Sequence, residues 1–350
     1  MAEVSKAKLV FYLVSSVLLI TFVFYGYQIV YTPNILVDRA DQVFIVRSGN
    51  TYRQVQENLA KGRFVNDFVS FSFLARLMDY DKEIKPGRFV LRRNMTNIEA
   101  IRVLRAGIQE PVSITFTHVR LLSELGDKIT KNTGVSSDEF YDALDEFVST
   151  QKEGFTQETI LCMFLPNTYE VYFNVSPKEL VERMHAEYEK FWNDGRVEKA
   201  KKIGLTPVEV SILASIVQAE TVRQEEAPII AGLYINRLKR DMALQADPTL
   251  VFAVRDFTLK RVLNEHKEVD SPYNTYTNTG LPPGPINMPR IAILDAVLDY
   301  ANHKFMYMCA REDFSGYHNF AATLAEHSRN ARKYQTALSI EQRKGRARKK

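Results

Sequence analysis

The stretch "GLTPVEVSILASIVQAET", residues 204–221, decides how the rest of this chain is read. Thr206 is followed by a proline and, three residues on, by Glu209, the capping-box pattern that starts a helix. From Val210 to Ala219 only serines and Gln218 interrupt an apolar run. A helix of that composition belongs in a core. It ends on Glu220, which shares a face with Leu213, Ile216 and Val217. A carboxylate on an apolar face is costly unless it is paired or protonated. Desolvation there raises its pKa, which is what a general acid working near neutral pH requires. The other role for such an acid is a structural ion pair, with Arg223 or Arg237 as partner.

Toward the N-terminus, residues 9–30, "LVFYLVSSVLLITFVFYGYQIV", carry no charge. As a helix these 22 residues span about 33 Å, against a hydrocarbon core of roughly 30 Å. Lys6 and Lys8 precede the segment, which puts residues 1–8 in the cytoplasm, and Tyr25, Tyr27 and Tyr31 suit an interfacial belt at its far end. The apolar run is long for a signal peptide and no A-x-A-like site follows it, so an uncleaved single-pass anchor in the cytoplasmic membrane is expected, with the remainder extracytoplasmic.

Lys and Arg total 46 against 42 Asp and Glu. The last eight residues, "RKGRARKK", hold six of those positive charges, so the rest of the chain has 40 basic against 42 acidic residues. That balance excludes a nucleic-acid-binding surface by charge and confines the basic character to a tail, residues 337–350, expected to be disordered. The two cysteines, Cys162 and Cys309, sit in apolar surroundings and read as free thiols rather than a disulfide.

Between these ends the pattern is α+β, with strands and helices mixed but without regular βαβ alternation. "QVFIVRSGN" reads as a strand and turn, "TYRQVQENLAKGR" and residues 67–78 as helices, and "KPGRFVL" as a second strand. "TNIEAIRVLRAG" has a capping box at Thr96 and Glu99 and a stop at Gly107. This β-α-α-β order over residues 41–110 resembles wall-binding LysM modules. A larger mixed α+β unit, residues 111–336, begins with the strand "EPVSITFT", continues through helices near 121–131, 138–149 and 177–194, and closes with a hairpin and a helix capped by Thr323 and Glu326.

The chemistry concentrates after the Glu220 helix. "GLYINRLKRDMALQADPTLVFAV" brings Asn236, Gln245 and Asp247 close in sequence, and "SPYNTYTNTGLPPGPINMP" packs tyrosines, asparagines and five prolines into one loop. Prolines fix the backbone, while amides meet sugar hydroxyls and flat rings meet sugar C–H faces. A long loop of that kind in a compact domain is more often functional than idle.

"LASIVQAET", "INRL", "MALQADPTL", "SPYNTY" and "GLPPGPINMP", in this order and spacing, resemble the MltG/YceG-like endolytic murein transglycosylases, and "HNFAATLAEHSRN" is similar to that family's closing segment. The family's acid segment carries two acids; here the earlier one is Gln218, which leaves Glu220. Two residues apart on a helix point about 160° apart, so only one of the two positions can face a given site. A second departure is "LCMFLPNTY", where the family has Glu-Gly before its Pro-Asp-Thr-Tyr. The resemblance implies cleavage of the MurNAc-β-1,4-GlcNAc bond within nascent strands, with 1,6-anhydro-MurNAc ends, by Glu220 as catalytic acid and then base. It places Gln245, Tyr273, Asn274 and Tyr276 in the sugar cleft, with Asn236 supporting it. Asp247 is there the second acid if water is the nucleophile, or a residue bonding its own turn. Glycan-polymerising synthases are the implied partners. A muramidase and a non-catalytic wall-binding scaffold are the rival functions. No histidine spacing for a metal and no phosphate-binding or Rossmann fingerprint is present, so no cofactor is implied.

Overall fold

The computed structural model describes residues 6–35, 37, 41–259 and 261–347; the ends of the expected cytoplasmic segment and basic tail, residues 1–5 and 348–350, lie outside the described residues. The architecture is mixed α+β, with helices throughout and three two-stranded sheets among the described residues. The chain divides into two compact units.

The first unit comprises the chain up to Ile114 together with Thr130–Val135 and Glu170–Ser176. Helix α1 (Lys6–Tyr31) carries no charge from Leu9 onward and is long and apolar enough to cross a membrane. Strand β1 (Asp41–Val46), α2 (Tyr52–Lys61), α3 (Phe68–Leu77) and β2 (Gly87–Arg92) follow in the expected order, then α4 (Asn97–Ala106). β1 and β2 pair antiparallel, from Asp41 opposite Arg92 to Val46 opposite Gly87. Val55, Leu59, Phe71, Phe89, Leu91 and Leu104 fill the core between sheet and helices. A buried polar knot fastens the end of α1: Asn34 Nδ2 donates to Asn97 Oδ1 at 2.6 Å, and Asn97 Nδ2 donates to Ile29 O at 2.9 Å. Asn34 Oδ1 accepts the Asp67 N–H at 2.6 Å, so the buried amides are satisfied from several elements at once. Gly107 ends α4 in a left-handed conformation (φ 73°), as its position after the capping box requires.

The second unit holds Thr115–Ile129, Ser136–Tyr169 and the chain from Pro177. Strands β3 (Val112–Phe116) and β4 (Asn167–Val171) pair with each other. The helix expected near 121–131 is instead a tight turn and one short helix, α5 (Gly126–Ile129). The cause is Tyr141, whose hydroxyl accepts the Gly126 N–H at 2.8 Å and donates to Leu122 O at 2.9 Å, replacing the helical ladder. Then come α6 (Ser137–Thr150), α7 (Pro177–Phe191), α8 (Asp194–Ile203), α9 (Pro207–Glu220), α10 (Ala227–Leu238), α11 (Asp247–Val254) and α12 (Ile291–Leu298). β5 (Tyr307–Ala310) and β6 (His318–Ala321) form the expected antiparallel hairpin. The last helix, α13 (Leu324–Ala347), runs through most of the segment expected to be a disordered tail. Its Arg, Lys, Gln and Ala residues are strong helix formers, and Lys344 meets Glu341 at 2.8 Å one turn away. Both cysteines are free thiols, as their surroundings imply.

Helix α9 is the axis of this unit. Thr206 and Glu209 exchange the two bonds of the capping box, at 3.2 and 2.8 Å, and every residue from Val210 to Val217 is buried. α10, α11 and α12 pack around it. Burying a Leu, Ile or Val side chain contributes about 1.5–3 kcal/mol, so Ile212, Leu213, Ile216 and Val217 alone strongly fix where the C-terminal end of α9 points.

Candidate active site

Glu220 is the last residue of α9, partly buried, with its carboxyl open to a cleft of about 930 Å³. Gln218, Asp247, Phe252, Asn287 and Met288 are among the residues lining that cleft. A second recess of about 270 Å³ meets the first at Glu220 and Asp247, and is closed by Tyr234, Arg237, Gln245 and Tyr276. The two carboxylates therefore stand where the two spaces join.

Neither arginine named from the sequence pairs with Glu220. Arg223 turns away, donating to Ser315 O at 2.6 Å and lying 4.8 Å from the Tyr317 ring. Arg237 is buried on the neighbouring helix and bonds to four other acceptors: Met306 O (2.7 Å), Ala243 O (3.0 Å), Leu244 O (2.8 Å) and Gln245 Oε1 (3.3 Å). It locks the hairpin and the 243–245 segment in place and leaves only a distant positive field at Glu220. What Glu220 does receive is the Tyr234 hydroxyl, which donates to Oε1 at 2.8 Å. Burial is the largest influence on the acid and raises its pKa; the Tyr234 bond lowers it, the Asp247 charge raises it and Arg237 lowers it, for a net value of about 7. The position at the negative end of the α9 dipole acts in the same upward direction. Such a group is roughly half protonated at neutral pH.

Of the other residues named from the sequence, Gln245, Asp247 and Tyr276 gather with Glu220. The Tyr276 hydroxyl donates to Asp247 Oδ1 at 2.6 Å. Asp247 opens α11 without capping it, so it does not bond the backbone of its own turn there. Gln245 sits at a left-handed position (φ 51°) and is fixed by its N–H to Thr275 O at 2.9 Å. Tyr273 lies in an adjoining recess, its ring 4.7 Å from that of Phe252.

Asn274 and Asn236 both act as scaffold, Asn274 in place of the sugar contact expected of it. Asn274 is fully buried: its Nδ2 donates to Lys267 O and Val269 O, both at 2.9 Å, and its Oδ1 accepts the Tyr276 N–H at 3.0 Å. It holds the loop that presents Tyr273 and Tyr276. Asn236 donates to His303 O at 2.8 Å and Phe305 O at 3.1 Å, which ties α10 to the approach of β5 and leaves its amide no free donor to aim into the cleft.

Sequence reasoning missed Tyr234 as the partner of Glu220, though it lies on the same mostly apolar helix as Arg237, three residues before it, which is a legible signal. It also assigned no contact to Ser215 or Gln218. Ser215 Oγ accepts the Ile286 N–H at 3.0 Å; Gln218 donates to Asn287 Oδ1 at 2.7 Å and Met288 O at 3.0 Å and accepts the Arg290 N–H at 2.8 Å. Together they staple the proline-rich loop to α9 as a wall of the cleft. The amide at 218 is thus used as both donor and acceptor, which a carboxylate could not reproduce.

Away from the cleft, His185 lies between Glu153 (3.4 Å from Nε2) and Glu189 (3.9 Å from Nδ1).

Residues 44–333 match the YceG-like family. Curated relatives named endolytic murein transglycosylase include one from Streptococcus pneumoniae, 25% identical over 93% of this chain, and one from Bacillus subtilis, 26% identical over 83% of both chains. This chain spans 64% of the pneumococcal relative's length. The crystal structure of a yceG-like protein from Listeria monocytogenes aligns with a TM-score of 0.53 at 23% identity, covering 83% of this chain and 98% of that one, and so shares its fold.

Proposed function

The chain belongs to the YceG-like family, and from that premise we propose that it is an endolytic murein transglycosylase that cuts nascent peptidoglycan strands at the MurNAc-β-1,4-GlcNAc bond, leaves 1,6-anhydro-MurNAc ends and so ends strand growth. The observation that carries this reading is one carboxyl group with a pKa raised to about 7, held by a tyrosine on one oxygen and facing a long cleft.

One such group can serve both halves of the reaction. Tyr234 occupies Oε1 of Glu220, leaving Oε2 to carry the proton. That proton passes to the glycosidic oxygen as the C–O bond breaks and positive charge develops on the MurNAc ring. The resulting carboxylate takes the proton of the MurNAc 6-hydroxyl, whose oxygen closes on the anomeric carbon. Holding that hydroxyl close is a proximity effect, and no water enters the product. Gln245, Asp247 and Tyr276 line the smaller recess and are assigned to the sugar bound there, Tyr273 to the adjoining one. The Asp247 carboxyl group stands beside the developing positive charge and is assigned to stabilise it.

The apolar α1 is read as an anchor in the cytoplasmic membrane with the rest of the chain outside, which holds the cleft near newly made strands. The β1-α2-α3-β2 unit is read as a LysM-like wall-binding module, and glycan-polymerising synthases as partners. Mass analysis of products from purified uncrosslinked strands tests the reaction. The expected ends are anhydro-MurNAc from wild type and none from Glu220→Gln. Reducing MurNAc ends would instead make the protein a muramidase with Asp247 as its second carboxylate, and no cleavage by folded wild type would leave a wall-binding scaffold.

A further inference from the structure

A third space, about 480 Å³, adjoins the cleft and shares Arg120 and Phe252 with it. Its walls are apolar and stiff: Leu121, Leu161, Pro272, Tyr273, Pro283 and Pro285. Gly284 keeps the proline wall close, since a Cβ there would stand 2.2 Å from Glu158 O and 2.9 Å from the Tyr273 hydroxyl. Two guanidinium groups border this space. The Arg120 guanidinium carbon stands over the Phe257 ring, 4.2 Å from its centre, and that of Arg255 over the Phe252 ring at 4.1 Å. Neither forms an ion pair among the described residues, and each rests against its ring. Glu158, held by the Thr156 hydroxyl at 2.7 Å, adds one carboxylate to the same rim.

Stacked guanidinium groups without an acidic partner are prepared for an anion. The sugars of a murein strand offer none, because the lactyl carboxyl of MurNAc is taken up in the amide that carries the stem peptide. The anions of the strand are the carboxylates of that peptide, and its amine is the natural partner of Glu158. We propose that this recess is a stem-peptide subsite: Arg255 and Arg120 take a peptide carboxylate while the apolar walls cover its side chains, so the protein recognises peptide-bearing MurNAc. The inference rests on murein being the substrate.

The test separates binding from cutting. Full-length protein in detergent micelles, carrying Glu220→Gln to prevent turnover, is titrated calorimetrically with a GlcNAc-MurNAc-tetrapeptide and with the same disaccharide stripped of its peptide. The peptide form is expected to bind about tenfold tighter, the worth of a charge-assisted hydrogen bond. Arg255→Glu should abolish that preference without changing affinity for the stripped sugar. Arg255→Asn, whose side chain tolerates the left-handed backbone at φ 61°, should reduce it with the fold preserved. Equal affinity for the two ligands, or a preference that survives Arg255→Glu, overturns the subsite. A preference in a protein that cuts no strand would keep the subsite and remove the transglycosylase reading.

Discussion

At the turn from α9 to α10 two glutamates six residues apart have opposite surroundings. Glu226 is 4% exposed and meets the His318 N–H at 2.9 Å, the His318 ring Nδ1 at 2.9 Å and the Thr221 hydroxyl at 3.5 Å. Glu220 has the Tyr234 hydroxyl and no ion pair among the described residues. A buried acid supplied with donors on both oxygens and a histidine partner is a fastener, here joining the α10 entry to β6. A half-buried acid left one donor and a charged neighbour of its own sign suits the proton carrier proposed for Glu220. The difference is not in the residue type but in what the adjoining elements aim at it.

The comparison predicts different losses. Glu220→Gln should lower strand cleavage by about 10³-fold or more, since one group is proposed to serve as both acid and base, while circular dichroism stays native. Glu226→Ala should do the reverse: leaving the His318 ring and backbone N–H without their buried acceptor costs about 1–3 kcal/mol, read as a lower Tm, with kcat of the folded fraction near wild type. A Glu226 variant that folds normally but cannot cut would break the contrast.

Stability sharpens it further. The folded pKa of Glu220 lies above the ordinary glutamate value of 4.5, at about 7. The unfolded chain therefore releases this proton first as pH rises, and the native state loses stability between about 4.5 and 7, by at most about 3 kcal/mol. Glu220→Gln should accordingly be more stable than wild type at pH 8 and gain nothing at pH 4, as thermal melts at the two pH values would show. Smaller effects follow from its neighbours. Tyr234→Phe removes the bond that lowers the Glu220 pKa, so the alkaline limb of kcat/KM should move to higher pH; Asp247→Asn removes a charge that raises it, so the limb should move lower. Shifts of the opposite sign would mean that another group titrates.

How much of this was legible depends on how local the cause is. The boundaries of α9 and α4 follow from Thr206 and Glu209, and from Thr96 and Gly107, because capping involves residues three or four apart. The same holds for placing Glu220 on a helix face. The broken helix near 121–131 was not legible, because Tyr141, fifteen residues beyond Gly126, breaks it. The extension of α13 was obscured by reading a charge run as disorder when its residues are also strong helix formers. In the site, Asn274 looked like a sugar ligand because an amide's chemistry is the same whether it meets a hydroxyl or a backbone carbonyl; only the fold shows its donors already used. Arg237 looked like an ion-pair partner for Glu220 until the 243–245 segment and β5 supplied its acceptors.

The central claim is that Glu220 carries the reacting proton with a pKa set by its pocket. Its most direct test is the pH dependence of kcat/KM for full-length wild type on uncrosslinked strands, with Glu220→Gln measured beside it. The account predicts an alkaline limb centred near pH 7 in wild type and a residual rate without that limb in the variant. A wild-type limb near pH 4 to 5, the range of an ordinary carboxyl, or the same limb surviving in Glu220→Gln, would contradict it.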